Sequence, residues 1–326
     1  MMVSQATRSL LAVVYLLWAG FAVAGSDEDP AEWLERMSTA MSQMSYQGTF
    51  VYVQGDDVVT MRITHVAGET GVRERMVSVS GVPREVIRDS SGVRWVLGDD
   101  RSVLQDQGFN RTFFPQLPLD QQGQAQRSYA MKLGGVGRVA GQSVRNLTIL
   151  PRDQYRYGYS LWLEEHSAML LKWELIDHRQ KPLAKLMFTD IRMGAEVDRN
   201  ELQSSSELKK FKTVESSLPA GRGMASSQPR WRPSRLPPGF ELTAHRFFGQ
   251  QQDSMFEHLV YSDGLTAVSV YVETAAAGEQ QPSNLSRMGT THAFSTTGDG
   301  VAITVIGDVP SITVKLIGET VSSVSK

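Results

Sequence analysis

Residues 48–79, GTFVYVQGDDVVTMRITHVAGETGVRERMVSV, decide the fold of this chain. Polar and apolar residues alternate along three runs, 48–54, 58–66 and 72–79, and a period of two is typical of strands. The runs are separated by Gly-Asp-Asp and Ala-Gly-Glu-Thr-Gly, which are turn-forming segments. The stretch therefore predicts a meandering antiparallel sheet.

The same pattern continues beyond this stretch, with an irregular segment at 106–135. Charged residues such as Arg73, Glu74 and Glu85 predict that one face of the sheet meets water and the other a core or a cavity. Further strands are predicted at 83–88, 93–97, 101–105, 145–150, 157–164, 169–176 and 183–193.

A helix is predicted before the sheet. Asp29 fits an N-cap, Pro30 the first helical position and Glu32 a capping box. An apolar stripe with helical spacing follows, and it favours an ordinary core-facing helix over an adaptable methionine-rich surface. The stripe consists of Trp33, Met37, Met41 and Met44.

Residues 1–24 read as a signal peptide. Arg8 precedes an apolar run at 10–21, and Ala22-Val23-Ala24 supplies small residues before a cleavage site. The alternative is an uncleaved anchor, but the run is shorter than the roughly 20 residues that span a bilayer. The leader predicts export.

The second half of the chain begins after a change in composition. Residues 207–235 are rich in Ser, Gly and Pro and carry an excess of positive charge, which predicts a basic, flexible linker. A smaller domain is predicted at 236–326, with strands at 241–248, 257–262, 267–273 and 301–307 and a helix near 311–322.

Composition excludes several classes of function. The chain has 326 residues, 33 Lys and Arg against 35 Asp and Glu, a formal net charge of -2 and no cysteine. Its length predicts two domains. The balanced charge argues against a nucleic-acid partner. Without cysteine there is no disulfide scaffold, thiolate metal site or cysteine nucleophile.

Motifs for catalysis or metal binding are missing from the sequence. The six histidines show neither H-x-H nor H-E-x-x-H spacing, and there is no G-x-S-x-G or phosphate loop. GVGRVA at 135–140 matches a dinucleotide fingerprint formally, but a strand-like segment follows instead of a helix. A glycine-rich hairpin is the better interpretation. We expect no catalytic residues, no metal and no cofactor.

Aromatic residues crowd neighbouring predicted strands. Tyr155, Tyr157 and Tyr159 would line one face of a strand. Packing in a core explains them, and an apolar cavity inside a strongly curved, unclosed sheet is the alternative.

Several strings of residues resemble the RseB/MucB family of periplasmic regulators of the sigma-E (AlgU-type) envelope-stress response. In the first half they are YQGTFVY at 46–52, VRER at 72–75, GVPREVIR at 81–88 and PRDQYRYGYSLWL at 151–163. In the second half they are LPPGF at 236–240, YSDGL at 261–265 and VIGDVP at 305–310. The resemblance keeps its order over nearly the whole exported chain.

The resemblance implies a β-rich α+β fold. Residues 25–206 would form an unclosed antiparallel β-barrel wrapped over helices, as in lipoprotein carriers, with an apolar cavity. The linker at 207–235 and a small α/β domain at 236–326 would follow.

The resemblance also implies a function. Such proteins bind the periplasmic segment of a transmembrane anti-sigma factor of the RseA/MucA type and shield it from regulated proteolysis. Lipid or lipopolysaccharide fragments promote its release. The protein would be a periplasmic negative regulator and not an enzyme. Whether it forms a homodimer is an open question at this point. Lipid would act by moving the first helix or by resetting the angle between the domains.

Two sets of candidate site residues follow. For the lipid cavity they are Met37, Met41, Phe50, Tyr52, Trp95, Phe113, Phe114 and Trp162. For the partner surface, arginines and aromatics are favoured because binding hot spots use them: Arg230, Trp231, Arg232, Arg235, Tyr261 and Tyr271.

Two other functions compete with this one. A periplasmic lipid or lipoprotein carrier would use the same cavity, although it would not need the second domain. An exported hydrolase would need a Ser/His/Asp cluster that forms only in three dimensions.

Overall fold

The computed structural model describes residues 28–68, 71–81, 83–90, 92–97, 102–106, 124–194, 197–203, 212–215, 228–248, 256–275 and 282–324. The predicted leader and the predicted cavity residues Phe113 and Phe114 lie outside these ranges. Within them, no helix has the length and apolar character needed to cross a membrane.

Twelve strands form the first sheet. In chain order they are β1 (Tyr46–Gln54), β2 (Asp57–Gly68), β3 (Gly71–Ser78), β4 (Arg84–Asp89), β5 (Gly92–Leu97), β6 (Ser102–Asp106), β7 (Tyr129–Val139), β8 (Gln142–Pro151), β9 (Gly158–Glu164), β10 (Leu170–Ile176), β11 (Pro182–Met193) and β12 (Lys212–Glu215). Their spatial order is β12-β6-β5-β4-β3-β2-β1-β11-β10-β9-β8-β7.

This sheet is an unclosed antiparallel half-barrel, as the sequence predicts. Its two ends, β7 and β12, do not pair with each other in the described part of the chain. The β6–β12 pair is parallel, whereas the hairpin-linked pairs are antiparallel.

Helix α1 (Pro30–Gln43) packs into the half-barrel. Its N-cap is Asp29, whose side chain accepts a hydrogen bond from the N–H of Ala31 at 2.9 Å. The core-facing interpretation of its stripe is confirmed, because the buried side chains of α1 join one apolar core with those of the strands. They are Trp33, Leu34, Met37 and Ala40. A second helix, α2 (Gln124–Ser128), leads directly into β7.

A bulge in β11 shapes the sheet beside α1. The β1–β11 register shifts between Thr49 and Phe50. Gly48 stands next to this bulge, where a Cβ atom would lie 2.5 Å from the carbonyl oxygen of Asp190 and 3.0 Å from the Phe188 ring. Glycine is required here because the two backbones and the aromatic ring approach so closely.

The second half of the chain folds on a smaller sheet. Its six strands are β14 (Glu241–Phe248), β15 (Phe256–Ser262), β16 (Ala267–Thr274), β17 (Asn284–Met288), β18 (Thr291–Gly298) and β19 (Val301–Gly307), in the order β14-β15-β16-β19-β18-β17. Helix α3 (Ser311–Gly318) packs on β18 and β19. A separate pair, β13 (Trp231–Pro233) with β20 (Val321–Ser323), lies beside this sheet.

Several boundaries differ from the predictions. Residues 129–135 belong to strand β7 and are not irregular. The predicted linker contains two ordered pieces, β12 and β13, which pair with distant strands. Strands β17 and β18 were not predicted, because few of their residues are strongly apolar. The predicted final helix ends at Gly318 and is followed by β20.

The prediction that charged residues mark a water-facing side is wrong at two glutamates. Glu74 is 6% exposed and pairs with the buried His65 at 3.0 Å. Glu85 is fully buried and pairs with Arg75, which also donates to the carbonyl of Glu201 at 2.9 Å. Glu201 belongs to a short 3₁₀ helix (Arg199–Leu202) that packs on β3, so this part of the outer face is covered.

Candidate functional site

A buried ion pair joins the two sheets. Arg156 lies between β8 and β9, Asp263 lies between β15 and β16, and both side chains are fully buried. Arg156 Nη1 donates to Asp263 Oδ2 at 2.7 Å, and its Nε donates to Asp153 at 3.1 Å. Its Nη2 donates to the carbonyl of Pro238. A guanidinium can hold all three acceptors because its donors point in fixed directions.

The loop that carries Asp263 is tightly organised. Asp263 Oδ1 accepts hydrogen bonds from the N–H groups of Leu265 and Thr266, both at 2.9 Å. Its other oxygen also accepts from the hydroxyl of Tyr129 at 2.9 Å. The loop thereby places Leu265, which is 2% exposed, within the apolar core of the first sheet. We call residues 263–266 the insertion loop.

Four tyrosines of the half-barrel lie within electrostatic range of charged residues of the second domain, and we call them the tyrosine rim: Tyr52, Tyr129, Tyr157 and Tyr159. Burial, aided by the charge of Asp308, raises the pKa of Tyr52 to about 12. Burial and then the charge of Asp263 raise the pKa of Tyr129 and of Tyr159 well above the usual value. The docked arrangement therefore favours the protonated form of these three hydroxyls.

Further contacts connect the sheets around the ion pair. Thr313 in α3 donates from its hydroxyl to the carbonyl of Tyr155 at 2.6 Å. Gln54 at the end of β1 donates to the hydroxyl of Thr290 at 3.0 Å. These contacts hold the second domain against the mouth of the half-barrel.

Gly239 permits a close backbone approach at the same interface. Its φ is +81°, and a Cβ atom there would lie 2.6 Å from Ser128 Oγ. An L side chain is disfavoured at this φ and would meet Ser128. Gly239 therefore lets the second domain dock directly on the end of α2.

The chemistry of this region suits binding. The described residues contain no group of three or more His, Asp or Glu side chains placed to hold a metal ion. The buried polar groups are paired with each other across the interface. What they provide is a specific joint between two domains.

Comparison with known protein families decides the identity of the fold. Models of the MucB/RseB N-terminal domain and the MucB/RseB C-terminal domain match residues 29–206 and 225–322, respectively. The chain belongs to the MucB/RseB family. The predicted resemblance is confirmed.

Named relatives of this MucB/RseB chain are regulatory proteins. The sigma factor AlgU regulatory protein MucB of Pseudomonas aeruginosa is 31% identical over 93% of each chain. The sigma-E factor regulatory protein RseB of Escherichia coli is 22% identical over 88% of this chain and 89% of the relative. The expectation of a non-enzymatic regulator agrees with these names.

Solved MucB structures share the fold. The structure of MucB in complex with MucA(peri) is 28% identical, with a TM-score of 0.70 over 91% of this chain and 100% of that one. The Pseudomonas aeruginosa MucA/MucB complex is 29% identical, with a TM-score of 0.72 over 92% and 100%.

In this MucB/RseB chain, four of the predicted lipid-site residues meet on the inner face of the half-barrel. Phe50 is fully buried and Met37 is 3% exposed, and both belong to the core. Met41 and Tyr52 are partly buried against that core. Tyr52 lies 6.1 Å from the Trp173 ring, measured between centroids.

Two other predicted lipid residues are placed differently. Trp162 alternates with the fully buried Leu161 and Leu163, so it points to the opposite face of β9, where Lys172 Nζ lies 3.7 Å from its ring. It is nevertheless partly buried against the apolar core that contains Phe50. Trp95 lies in β5, in register with Val86 and Leu104.

The predicted partner residues divide into exposed arginines and packed aromatics. Arg230, Arg232 and Arg235 are exposed at or beside β13, and the Arg230 guanidinium lies 4.3 Å from the Phe247 ring. Trp231 packs on the core of the second domain. Tyr261 is 4% exposed within that core, and Tyr271 stacks on His258 at 4.5 Å. The aromatics therefore support the sheet, and only the arginines face solvent.

Sequence reasoning missed Arg156 and Asp263 as functional residues. Both lie within strings that carry the family resemblance, PRDQYRYGYSLWL and YSDGL. The sequence did hold a signal for a buried ion pair. Each of these two charged residues has aromatic or apolar neighbours in the sequence that predict burial, and a buried charge needs a partner. The sequence did not indicate which charge pairs with which.

Proposed function

We propose that this chain is a periplasmic regulator that binds the periplasmic segment of an anti-sigma factor of the MucA/RseA type. One observation carries the proposal: both domains match solved MucB structures over 91–92% of the chain, and those structures are complexes with MucA. The signal-peptide pattern at 1–24 supports export to the periplasm. In this role the chain protects the anti-sigma segment from regulated proteolysis and releases it when lipid or lipopolysaccharide is sensed.

The joint between the domains suits such a role. A protein outside the cytoplasm has no ATP to drive a switch, so a ligand must act by differential affinity for two states. The closed arrangement is held by a few specific contacts around Arg156 and Asp263. A surface shared by both domains would exist only while these contacts persist. The exposed Arg232 and Arg235 belong to the partner surface of this proposal.

Isothermal titration calorimetry tests the proposal. The purified exported protein is titrated with the periplasmic segment of the MucA-type protein from the same organism, with and without lipopolysaccharide. We expect saturable binding that lipopolysaccharide weakens, together with protection of the segment from added protease. Light scattering in the same samples reports whether a homodimer forms.

Variants sharpen this test. Arg232→Ala with Arg235→Ala should weaken segment binding about tenfold, as expected for arginine hot spots. Lys315→Ala, an exposed cation on α3, is the matched control and should leave binding unchanged. Lipid uptake without any binding of the segment would contradict the regulator and favour a lipid or lipoprotein carrier.

A further inference from the structure

A cavity opens in the second domain, at the C-terminal end of helix α3. Its volume is about 280 Å³. This is just below the roughly 300–1,000 Å³ of small-molecule pockets, so the cavity accommodates a single side chain. It lies between the end of α3, the β18–β19 hairpin and the β13–β20 pair.

Two glycines give the cavity its shape. Gly298 lies in its floor, opposite Val301 in the β18–β19 register, and a Cβ atom on Gly298 would meet nothing within 4 Å. Gly318 ends α3, where a Cβ atom would lie 2.2 Å from the Phe294 ring. The helix end can therefore rest on Phe294, while the space above Gly298 stays empty.

The walls of the cavity suit a cation that has an apolar stem. Trp231 supplies an aromatic ring, and two exposed carboxylates, Asp299 and Glu319, line the same space. Glu319 directly follows α3, where the helix dipole is negative. Its pair with Lys315 is exposed, with Nζ and Oε1 3.7 Å apart, and such a pair is readily exchanged. An arginine fits this chemistry best, because its planar guanidinium stacks on aromatic rings and bonds to carboxylates.

A free sheet edge adjoins the cavity. Strand β17 ends the second sheet and pairs with β18 alone among the described strands. All five of its residues are exposed, and Leu285 stands in register with Phe294, on the face that carries the cavity. Ser283, directly before β17, lines the cavity itself. An unpaired edge with an exposed apolar side chain is a template for an added strand.

We propose that the second domain binds an extended peptide, which adds a strand to the free edge of β17 and places an arginine side chain in the cavity. Main-chain hydrogen bonds to β17 supply affinity, and the cavity supplies specificity. Strands in a sheet lie about 4.8 Å apart, so a long side chain reaches across β17 to the cavity above β18. The guanidinium donates to Asp299 and Glu319, and its stem packs beside Trp231. This inference does not depend on the anti-sigma or lipid parts of the proposed function.

The first experiment uses a fluorescein-labelled, amidated peptide, Thr-Val-Arg-Val-Thr, and measures its fluorescence anisotropy with the purified full exported chain. We expect saturable binding. Citrulline in place of the arginine keeps the shape but removes the charge, and it should weaken binding at least tenfold. Failure of the arginine peptide to bind, or equal binding of the citrulline peptide, would overturn the proposal.

Filling the cavity tests its location. Gly298→Val places a side chain in the empty space, at a position whose φ lies outside the left-handed region, and should weaken peptide binding at least tenfold. Gly135→Val is the matched control, because Gly135 is a strand glycine of the half-barrel whose Cβ atom would also meet nothing within 4 Å. Thermal unfolding of both variants checks that the fold is intact. Equal affinities of the two variants would exclude the cavity as the site.

Removing the two charges tests the carboxylates. Asp299→Asn with Glu319→Gln should lower the affinity for the arginine peptide to that of the citrulline peptide, and asparagine tolerates the φ of +52° at position 299. Asp57→Asn with Glu35→Gln changes two exposed carboxylates of the half-barrel and is the control for net charge. A tenfold loss in the control as well would reduce the effect to general electrostatics and count against the proposal.

The added strand has its own test in the peptide. Backbone N-methylation at alternate residues blocks hydrogen bonding along one edge of the peptide at a time, so one of the two methylated peptides should lose at least tenfold in affinity and the other should bind as before. Equal affinities of the two would overturn the pairing with β17. Self-association of the chain that the peptide reverses, measured by light scattering, would instead identify a second copy as the occupant of this edge.

Discussion

At the scale of single residues, Arg156 makes several of the contacts between the two domains. Its guanidinium bonds to Asp153, Asp263 and Pro238, and it lies 5.1 Å from the ring of Phe240. Losing one partner of a buried pair costs far more than the pair itself contributes, because the other charge stays buried without compensation.

Arg156→Ala should therefore lower the free energy of unfolding by about 3–5 kcal/mol. Urea unfolding followed by fluorescence measures this loss, and a separate transition for each domain is expected once the joint is broken. Lys315→Ala is the control, because its exposed ion pair with Glu319, at 3.7 Å, should contribute only about 0.3–0.5 kcal/mol. A loss below about 1 kcal/mol for Arg156→Ala would contradict the role assigned to the pair.

At the scale of elements, the β9–β10 hairpin is fixed by one carboxylate. Glu164 Oε2 accepts from the N–H and the hydroxyl of Ser167, both at 2.7 Å, and from the N–H of His166 at 3.1 Å. Burial by itself would raise the pKa of Glu164, but these hydrogen bonds outweigh burial and lower the pKa to about 2. The charged form is thus the one that the folded turn prefers.

Because the folded turn prefers charged Glu164, the stability of the protein depends on pH with a definite sign. The folded pKa of Glu164 lies below its unfolded value of about 4.3, so its contribution is present above that pH and is lost as the pH falls towards 2. Glu164→Gln should lower the stability at pH 7 by about 1–2 kcal/mol, since solvent screens part of the interaction, and by much less near pH 2. Urea unfolding across this range tests it, with Glu35→Gln on the exposed side of α1 as the control. A stability difference that does not change with pH would contradict the assignment.

At the scale of the whole molecule, the two domains meet through tyrosines on one side and aspartates on the other. Burial and the charges of Asp263 and Asp308 oppose ionisation of the rim hydroxyls and raise the pKa of each. Deprotonation would place a tyrosinate beside these carboxylates. The joint should consequently be sensitive to alkaline pH.

The raised pKa of Tyr52 sets the pH range over which the two domains should separate. Its contribution to docking is complete below the unfolded pKa of about 10 and is lost as the pH rises through about 12. Small-angle scattering should show the domains separating over this interval, together with tyrosinate absorbance. Tyr52→Phe should shift the separation to higher pH, whereas Tyr271→Phe, in the second sheet, should behave as the parent protein. Separation that is complete below pH 10 in the parent protein would argue against this account.

The sequence by itself determined the features that depend on local periodicity. Strands predicted at 241–248 and 301–307 coincide with β14 and β19, and Asp29 caps α1 as predicted. Each of these signals is contained within one element, since a strand's alternation and a helix cap involve neighbours only a few residues apart. The strings at 151–163 and 261–265 also carried the family resemblance.

Only the tertiary structure decided which residues meet. It buried Glu85 beside Arg75, placed Trp162 on the face of β9 opposite Leu161, and joined Arg156 to Asp263, 107 residues later in the chain. A period of two separates the faces of a strand but does not say which face another domain will cover. The insertion of Leu265 depends on docking between two separately patterned sheets. Burial of a charge or of a loop leucine is therefore set by the partner surface, which local sequence does not encode.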